Sequence, residues 1–466
     1  MCDRLHMKKG ERYSGYTERT DFPNKGVVRI EGTDEYAAVK NALPGQRILF
    51  SVSRRRGGKT EGRLLEVLEE AECCWGVSRC PHSGSCGGCL FQGYPYEETL
   101  RIKEEQVKRL LSEYIKDAVY EGMQESPLKE GYRNKMEYTF GDEYMDGPLA
   151  LGLHKKGSFY DIVNVPQCRI APADFGLIID RSREFFAEKK VAHYHRLRHT
   201  GILRHLLLRR TAADGSILAA LVTSSEFRGS ALVSEWAGEL LKLPLRGSFA
   251  GILHIINDSP ADAVKCDELT VLHGEGRLRE KILGLGFDIS TFSFFPTNSL
   301  GAERLYTMAR DFLAGALKGG TVYDLYCGTG TISQVLSPAA GKVIGVEIVE
   351  EAVEAARVNA GLNGIDNCSF ICGDVLKVLD EIEEKPEVIV LDPPRDGVHP
   401  KALKKILDYG VDKILYISCK ASSLARDMEA VYAAGYRISR WGITDMFPMA
   451  AGMETCCLLE KTCGRE

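Results

Sequence analysis

Residues 321–331 read Thr-Val-Tyr-Asp-Leu-Tyr-Cys-Gly-Thr-Gly-Thr, an apolar strand that runs into Gly328 and Gly330 with a helical pattern behind them. Glycines at such a junction let the backbone turn tightly and let a ligand approach it closely. A second strand pattern, Val343-Ile-Gly-Val-Glu347, ends in an acid, and a carboxylate at that strand end accepts hydrogen bonds from ribose hydroxyls. A third ends near Gly373-Asp374, where another carboxylate can meet an adenine amino group. Two glycines alone are weak evidence, since a non-binding α/β domain also needs tight turns. With Glu347 and Asp374 added, the pattern points to a nucleoside cofactor.

Asp324 opens the turn, which is Asp-x-Tyr-Cys-Gly-x-Gly and not the longer Gly-x-Gly-x-x-Gly of dinucleotide sites. It resembles the S-adenosylmethionine (SAM) methyltransferase version of the fold. From Ala302 onward a helix is followed by a regular strand–helix alternation, the pattern of a doubly wound parallel sheet. Ligands sit in the crevice at the carboxyl ends of such strands. A fourth strand, 387–392, delivers Asp392 there, and a fifth, 413–419, delivers Cys419. A cysteine at a strand end is ordinarily a small buried hydrophobe, but beside a methyl donor it has a use. Pyrimidine C5 is a poor carbon nucleophile until something adds at C6, and a thiolate is the side chain best suited to that addition. The C5 proton must then leave, which calls for a base opposite the thiolate. Glu454, at the head of the apolar stretch 454–459, is the candidate, although in isolation it reads as a solvated strand end.

The 466 residues leave room for two to four domains, at roughly 100–200 residues each. A content of 44% hydrophobic and 27% charged residues is that of a soluble globular chain and argues against extended disorder. No apolar run reaches the ~18–20 residues of a membrane span, and residues 1–10 are polar and basic, with no signal-peptide pattern. Fifteen cysteines without an export signal point to thiols, metal or catalysis and not to a disulfide frame, so a cytoplasmic location is expected. With a formal net charge of −5, any nucleic-acid role must rest on local patches. Residues 27–30, 36–39, 47–52 and 64–68 are strand candidates for a small barrel, and Arg54, Arg55, Arg56 and Lys59 crowd one loop of it. Barrels with basic loops often bind nucleic acid, and charge runs are as often simply solvated. Residues 96–114 read as a helix, and 202–209 with 216–222 as a hairpin turned at Asp214-Gly215. Lys189, Lys190, Arg196, Arg198, Arg204, Arg209 and Arg210 make a basic region suited to phosphates, part of it ordinary solvated charge. Cys80, Cys86 and Cys89 have C-x5-C-x2-C spacing, one ligand short of the four thiolates that hold either an iron–sulfur cluster or structural zinc. The C-x3-C-x2-C spacing of radical-SAM chemistry is not met.

Asp324-Leu-Tyr-Cys-Gly, Leu391-Asp-Pro-Pro-Arg, Ser418-Cys419 with Leu424-Ala-Arg-Asp427, and Phe447-Pro448 with Glu454 carry a resemblance that covers nearly the whole chain. Together they resemble the bacterial RNA uracil-5-methyltransferase family, in particular its iron–sulfur branch acting on 23S ribosomal RNA. The resemblance implies Cys419 as nucleophile and Glu454 as general base. It implies Tyr326, Glu347 and Asp392 as methyl-donor contacts, with Thr331 and Asp374 in the same pocket. Cys168, in Val165-Pro-Gln-Cys168-Arg, stands where that branch supplies the fourth ligand, with Cys80, Cys86 and Cys89, to a 4Fe-4S cluster of structural or RNA-positioning role. Cys73, Cys74, Cys456 and Cys457 are expected to be structural. Tyr132-Arg-Asn-Lys135 and Leu203-Arg-His-Leu-Leu-Leu-Arg209 resemble family segments, and the N-terminal barrel resembles the TRAM RNA-binding domain. The implied fold class is α/β: a Rossmann-like SAM-dependent methyltransferase domain (96–126 and 291–466), an OB-like barrel (1–75) and a central α+β domain with the iron–sulfur site (76–95 and 127–290). The implied partner is RNA presenting an unpaired or flipped uridine, handled by a monomer away from any membrane.

Two positions depart from the family pattern. Ser293-Phe-Phe-Pro296 replaces Ser-Phe-Phe-Gln, so a glutamine contact to SAM is lost or taken over by Asn298. Lys420 stands where the family has Asn, and a cation there either lowers the Cys419 thiol or points to RNA phosphate. Transfer RNA as the substrate is an alternative, and so is a non-catalytic iron–sulfur RNA-binding factor, which these two departures favour. A small-molecule methyltransferase leaves the barrel and the basic segments unexplained. An amino-group methyltransferase using Asp-Pro-Pro has no use for Cys419 paired with Glu454.

Overall fold

The structure, a computed structural model, describes residues 7–260, 265–382 and 384–462. Of the polar N-terminal stretch 1–10, residues 1–6 lie outside the described residues. The chain opens with β1 (Arg12–Asp21), β2 (Lys25–Ile30), β3 (Tyr36–Lys40), β4 (Arg47–Arg56) and β5 (Lys59–Glu69), which close a barrel in the order β1-β2-β3-β5-β4. Alternate residues Val28, Ile30, Val39, Ile48, Phe50 and Val52 fill it. β1 carries no apolar alternation, because its inward positions are Gly15, Thr17 and Thr20; sequence pattern therefore does not reveal it. The Arg54–Lys59 cations are not in an open loop. They sit at the paired ends of β4 and β5, with the turn made by Gly57 and Gly58, both at positive φ.

Helix α1 (Tyr96–Leu110) and β6 (Val119–Gln124) come next in the chain but join the last sheet. A second sheet is built from β7 (Lys135–Asp142), β8 (Leu149–His154), β9 (Ile162–Asn164), β10 (Leu203–Arg210), β11 (Ser216–Thr223), β12 (Ser248–Ile256) and β13 (Glu268–Gly274). Its order is β13-β12-β11-β10-β7-β8-β9, with α2 (Ala173–Glu188) and α3 (Ala231–Leu240) packed through Phe175, Ile178, Phe186 and Trp236. The hairpin β14 (Arg277–Ile282) and β15 (Leu285–Ser290) then leads to α4 (Ser299–Leu313).

The third sheet holds β16 (Thr321–Leu325), β17 (Lys342–Glu347), β18 (Cys368–Cys372), β19 (Val388–Leu391), β20 (Lys413–Ser418), β21 (Tyr436–Thr444) and β22 (Glu454–Lys461). Helices α5 (Thr331–Leu336), α6 (Glu350–Leu362), α7 (Val375–Glu381), α8 (Pro400–Asp408) and α9 (Ala421–Ala433) connect them. The order is β18-β17-β16-β19-β20-β22-β21-β6. The chain moves outward through β17 and β18, then returns to the other side of β16 with β19, which puts the topological switch point between β16 and β19. The five strands β18 to β20 are parallel; β17, β16, β19 and β20 are buried on both faces, which explains their apolar runs, while the edge strand β18 buries only Phe370. The sheet is not parallel throughout, however. β22 inserts antiparallel between β20 and β21, so its first residue lies at the edge where β16, β19 and β20 end.

The glycine turn is a sterically closed part of this sheet. A Cβ on Gly330 (φ 73°) would lie 2.8 Å from the Phe370 ring and 2.9 Å from Ala356. Gly330→Ala is expected to lower stability by about 2–4 kcal/mol through left-handed strain and overpacking, seen as a lower thermal midpoint. Gly328→Ala, with open space at its Cβ, should cost about half as much.

Candidate active site

Tyr326 takes a left-handed conformation (φ 73°), and the amides of Tyr326 and Cys327 donate to the Val346 carbonyl at 2.9 and 3.1 Å. This fastens the end of β16 to β17. Glu347 completes the fastening: its carboxylate accepts from the amides of Gly328 (3.1 Å), Ile348 (2.9 Å) and Val349 (3.0 Å). Gly328 (φ 53°) faces open space. A Cβ added there would meet nothing nearer than the Phe294 ring, at 3.7 Å, so a ligand can approach the backbone. Thr331 opens α5, buried, with its hydroxyl 3.5 Å from that of Thr329. Asp374 caps α7, accepting from the Leu376 amide at 2.8 Å, and is exposed at the crevice rim. Asp324 is fully buried. One of its oxygens accepts from the Ser333 hydroxyl at 2.6 Å, the other has no partner, and burial pushes its carboxyl up to about 6.

On the other side of the switch point, the register pairs Ser418 of β20 with Thr455 of β22. One step toward the edge sets Cys419 across from Glu454, and directly opposed residues of an antiparallel pair lie close. Glu454 is 8% exposed and its Oε2 has no hydrogen-bond partner. Burial raises its carboxyl well above the ordinary range, Asp392 adds to the rise, and Arg395 opposes it. Burial also pushes the Cys419 thiol up to about 11, helped by Glu454 and Asp392 and opposed by Arg395. Asp392 itself is pushed up to about 7, by burial first and then by Asp324. Three strand ends therefore hold a thiol and two carboxyls that feel one another's charge. A carboxyl poised near neutrality is suited to accepting and giving protons.

Tyr306, which sequence reasoning did not single out, and Asp427, which it named only within the Leu424–Asp427 motif, support this group. Tyr306 of α4 is buried, and its phenol is raised by burial and then by the charges of Asp392, Glu454 and Asp324. Its only sequence signal is its place on the apolar side of an amphipathic helix. Asp427 accepts from the Tyr416 hydroxyl (2.7 Å) and the Val398 amide (2.9 Å), joining the loop after Asp392 to β20.

Several expectations need correction. Asn298 does not stand in for the missing glutamine. It caps α4, accepting from the Gly301 amide at 3.0 Å and donating to the Ser126 hydroxyl and the Met446 carbonyl, so its side chain is fully used. The ammonium of Lys420 lies 3.8 Å from Asp396, and Arg395 is a cation that opposes the rise of the Cys419 thiol. Much of the basic region is structural. Arg204 is buried and donates to the carbonyls of Asn257 (2.8 Å) and Ser259 (2.7 Å), while Arg209 donates to those of Thr291 and Ser293. Arg210 faces Asp174 at 3.4 Å, Lys189 pairs with Glu235 at 2.8 Å, and Arg196 lies 3.3 Å from the His154 ring. Lys190 and Arg198 remain exposed. Asn134 of the Tyr132–Lys135 segment donates to the Pro296 carbonyl (3.2 Å) and the Ser299 hydroxyl (2.8 Å), so this segment braces the 291–299 loop.

Cys80, Cys86, Cys89 and Cys168 line one cavity of about 240 Å³. The Cys89 thiol is pushed up to about 12 by burial and then by Cys168, Cys86 and Cys80, which places all four around a common space. Among the described residues, no three His, Cys, Asp or Glu side chains are set to hold a single metal ion. Cys74, Cys456 and Cys457 are buried, and Cys73 is exposed. No helix among the described residues is long and apolar enough to cross a membrane.

The crevice has the layout of a nucleoside-dependent transferase on an α/β sheet. The family described as tRNA (Uracil-5-)-methyltransferase matches residues 287–462. Over the full length, the chain is 41% identical to an RNA methyltransferase of Clostridium tetani, covering 98% of this chain and 99% of that one. It is 44% identical to an RNA methyltransferase of Caldanaerobacter subterraneus, covering 98% and 100%. The solved structure of the Pyrococcus abyssi tRNA (uracil-54, C5)-methyltransferase in complex with S-adenosyl-L-homocysteine matches with a TM-score of 0.73 at 23% identity, over 96% of this chain and 100% of that one. At that identity the likeness is one of fold. The chain belongs to the RNA uracil-5-methyltransferase family and is an RNA methyltransferase.

The charge arrangement is open to direct test. Alkylation of Cys419, followed by mass spectrometry of its peptide, should quicken about tenfold per pH unit between pH 7 and 10 without a plateau, because only the thiolate reacts. Asp392→Asn removes a charge that raises the thiol and should speed alkylation several-fold at pH 8. An unchanged rate would show that the two groups do not interact.

Proposed function

We propose that this protein methylates C5 of a uridine in 23S ribosomal RNA, with Cys419 as nucleophile and Glu454 as the base. The observation that carries the reading is the β20–β22 register, which sets a thiol against a carboxyl at the ligand-binding edge of the sheet. The residues present fit the methyl donor. Gly328 leaves the backbone open to approach, Glu347 stands at the second strand end, and Tyr326, Asp374 and Asp392 follow strand ends of the same sheet edge, with Thr331 opening the helix after the turn. S-adenosylmethionine bound there supplies the methyl group.

Cys419 Sγ bonds to C6 and the C5=C6 electron pair makes C5 nucleophilic. With the donor bound, C5 would take the methyl group and the donor's sulfur would keep the electron pair of the broken S–CH3 bond. Glu454, ionised, then removes the C5 proton, the freed pair restores the C5=C6 bond, and the C6–Sγ bond breaks to return the thiolate. Because its carboxyl is raised, Glu454 is a base only above its elevated pKa, so this last step should slow as pH falls through that value. A paired base cannot present C6 to Cys419, so the target uridine is unpaired or flipped. The barrel, with Arg54, Arg55, Arg56 and Lys59 at the tip of its β4–β5 hairpin, serves as a TRAM-like RNA-binding domain beside the central and catalytic domains.

Cys80, Cys86, Cys89 and Cys168 all line one cavity, which supports reading them as the ligands of a 4Fe-4S cluster in preference to zinc. The resemblance of the four cysteine positions to the iron–sulfur branch is what supports the ribosomal substrate over transfer RNA. Protein purified without air should be brown, contain about four irons per chain and lose them in Cys86→Ser; stoichiometric zinc without visible absorption would overturn the assignment. Undermethylated ribosomal RNA should be the better substrate when compared with transfer RNA, and no methyl transfer to either would favour a non-catalytic RNA-binding factor.

Single substitutions separate the two steps. Cys419→Ala should lose both the covalent RNA adduct and turnover. Glu454→Gln should methylate C5 and then stall with RNA bonded to Cys419, releasing product about 10²–10⁴-fold more slowly, as a band that persists on a denaturing gel. Normal turnover by Glu454→Gln would place the base elsewhere, with Asp392 as the next candidate.

A further inference from the structure

Lys103 of α1 is a cation in a place with little reason for one. It is fully buried, in an ion pair with Asp445 that is equally buried, at 2.7 Å. Its ammonium also donates to the carbonyls of Phe447 and Gly452, both at 3.0 Å, so all three of its protons are used. Phe447 and Gly452 lie on either side of the turn between β21 and β22. The ammonium therefore clasps the neck of that turn while Asp445 anchors the ammonium.

The turn is held from other directions as well. The Met446 carbonyl accepts from Asn298, the Pro448 carbonyl from the Tyr132 hydroxyl at 2.8 Å, and the Met449 carbonyl from the amides of Leu90 and Phe91 at 2.9 Å each. Met449 is held at φ 64°, a conformation that a non-glycine residue adopts only when its surroundings enforce it. Leu90 and Phe91 follow Cys89 directly, so one turn joins the cysteine-bearing segment to the strand that begins at Glu454. Glu454 Oε2 has no hydrogen-bond partner of its own. Its aim depends on the backbone that delivers it, and Gly452, the residue Lys103 holds, is two positions upstream.

A buried ion pair is a poor device for stability, because desolvation of both charges offsets their attraction, whereas it fixes geometry well. We propose that Lys103 is a positioning residue for the proton-removal step, acting through the clasped turn 445–453 to hold Glu454 in line with C5. This inference rests on Glu454 being the base. It assigns to a helix remote in sequence, α1, a part in the second half of the reaction and none in the first.

The test compares wild type, Glu454→Gln, Lys103→Gln and the double variant Lys103→Met with Asp445→Asn, which removes both charges and leaves no buried charge alone. Each is given RNA substrate and S-adenosylmethionine, and the covalent adduct, the released methylated RNA and the melting temperature are measured. A displacement of ~1 Å at a reacting group costs ~10²-fold. The double variant should thus form adduct at the wild-type rate but release product between about tenfold and a hundredfold more slowly, and Lys103→Gln should show the same signature at smaller size. A merely structural role would lower the melting temperature and slow adduct formation and release alike, and that outcome overturns the proposal. So does wild-type release from both Lys103 variants. If Glu454→Gln accumulates no adduct, the assignment of the base fails; if it does and the Lys103 variants do not, the positioning role alone fails.

Discussion

The hydrogen-bond register between β20 and β22 is the constraint on which the site depends. Parallel strands bring only their carboxyl ends to the ligand edge, so residues from β16, β17, β19 and β20 can reach the crevice solely from that end. An antiparallel strand brings its amino end instead. With Ser418 paired to Thr455, the last residues of one strand meet the first residue of the other, and a thiol and a carboxyl arrive from opposite chain directions at one place. A shift of one residue would turn Glu454 to the other face of the sheet. Burial of both faces of β20 and β22, through Ile414, Leu415, Cys456, Cys457 and Leu458, fixes the register against such a shift.

The same burial sets the electrostatics. Asp324, Asp392 and Glu454 share the carboxyl-end edge of the sheet, Asp324 raising Asp392 and Asp392 raising Glu454, with Arg395 an opposing cation. Removing water from carboxyls is costly when they are charged, so the group holds protons that an exposed set would lose. On the proposed function, Glu454 becomes a base only when ionised. The thiol, for its part, gains reactivity from whatever reduces the negative charge around it.

Where the sequence was legible, the reason lies in periodicity. The parallel strands are apolar runs of four to six residues that end in a polar side chain, and both the runs and their ends stand out residue by residue: Asp392 after β19, Cys419 after β20, Glu454 at the start of β22. β1 was not legible, since glycine and threonine fill its inward positions. Nor was the pairing of β6 with β21, because a parallel contact between residues near 120 and 440 leaves no local trace. The arginines were legible as charges but not as partners. Arg204 and Arg209 look like phosphate ligands in one dimension and are carbonyl donors in three. Asn298 misled for a similar reason, being a helix cap that happens to follow the missing glutamine.

That redistribution of cations bears on how an acidic chain can meet an RNA. The formal net charge is −5, so long-range attraction does not come from the molecule as a whole. Once Arg196, Arg204, Arg209 and Arg210 are assigned to internal partners, the exposed cations of the region are Lys189, which pairs with Glu235, Lys190 and Arg198. The β4–β5 hairpin adds three arginines and a lysine at its tip. Screening at physiological salt confines such charges to a range of about 8 Å. Phosphate contacts of this number position a strand but carry no sequence information. On the proposed function, the choice of uridine therefore falls to the crevice itself, where only a base that leaves its stack can place C6 over Cys419 and C5 before Glu454.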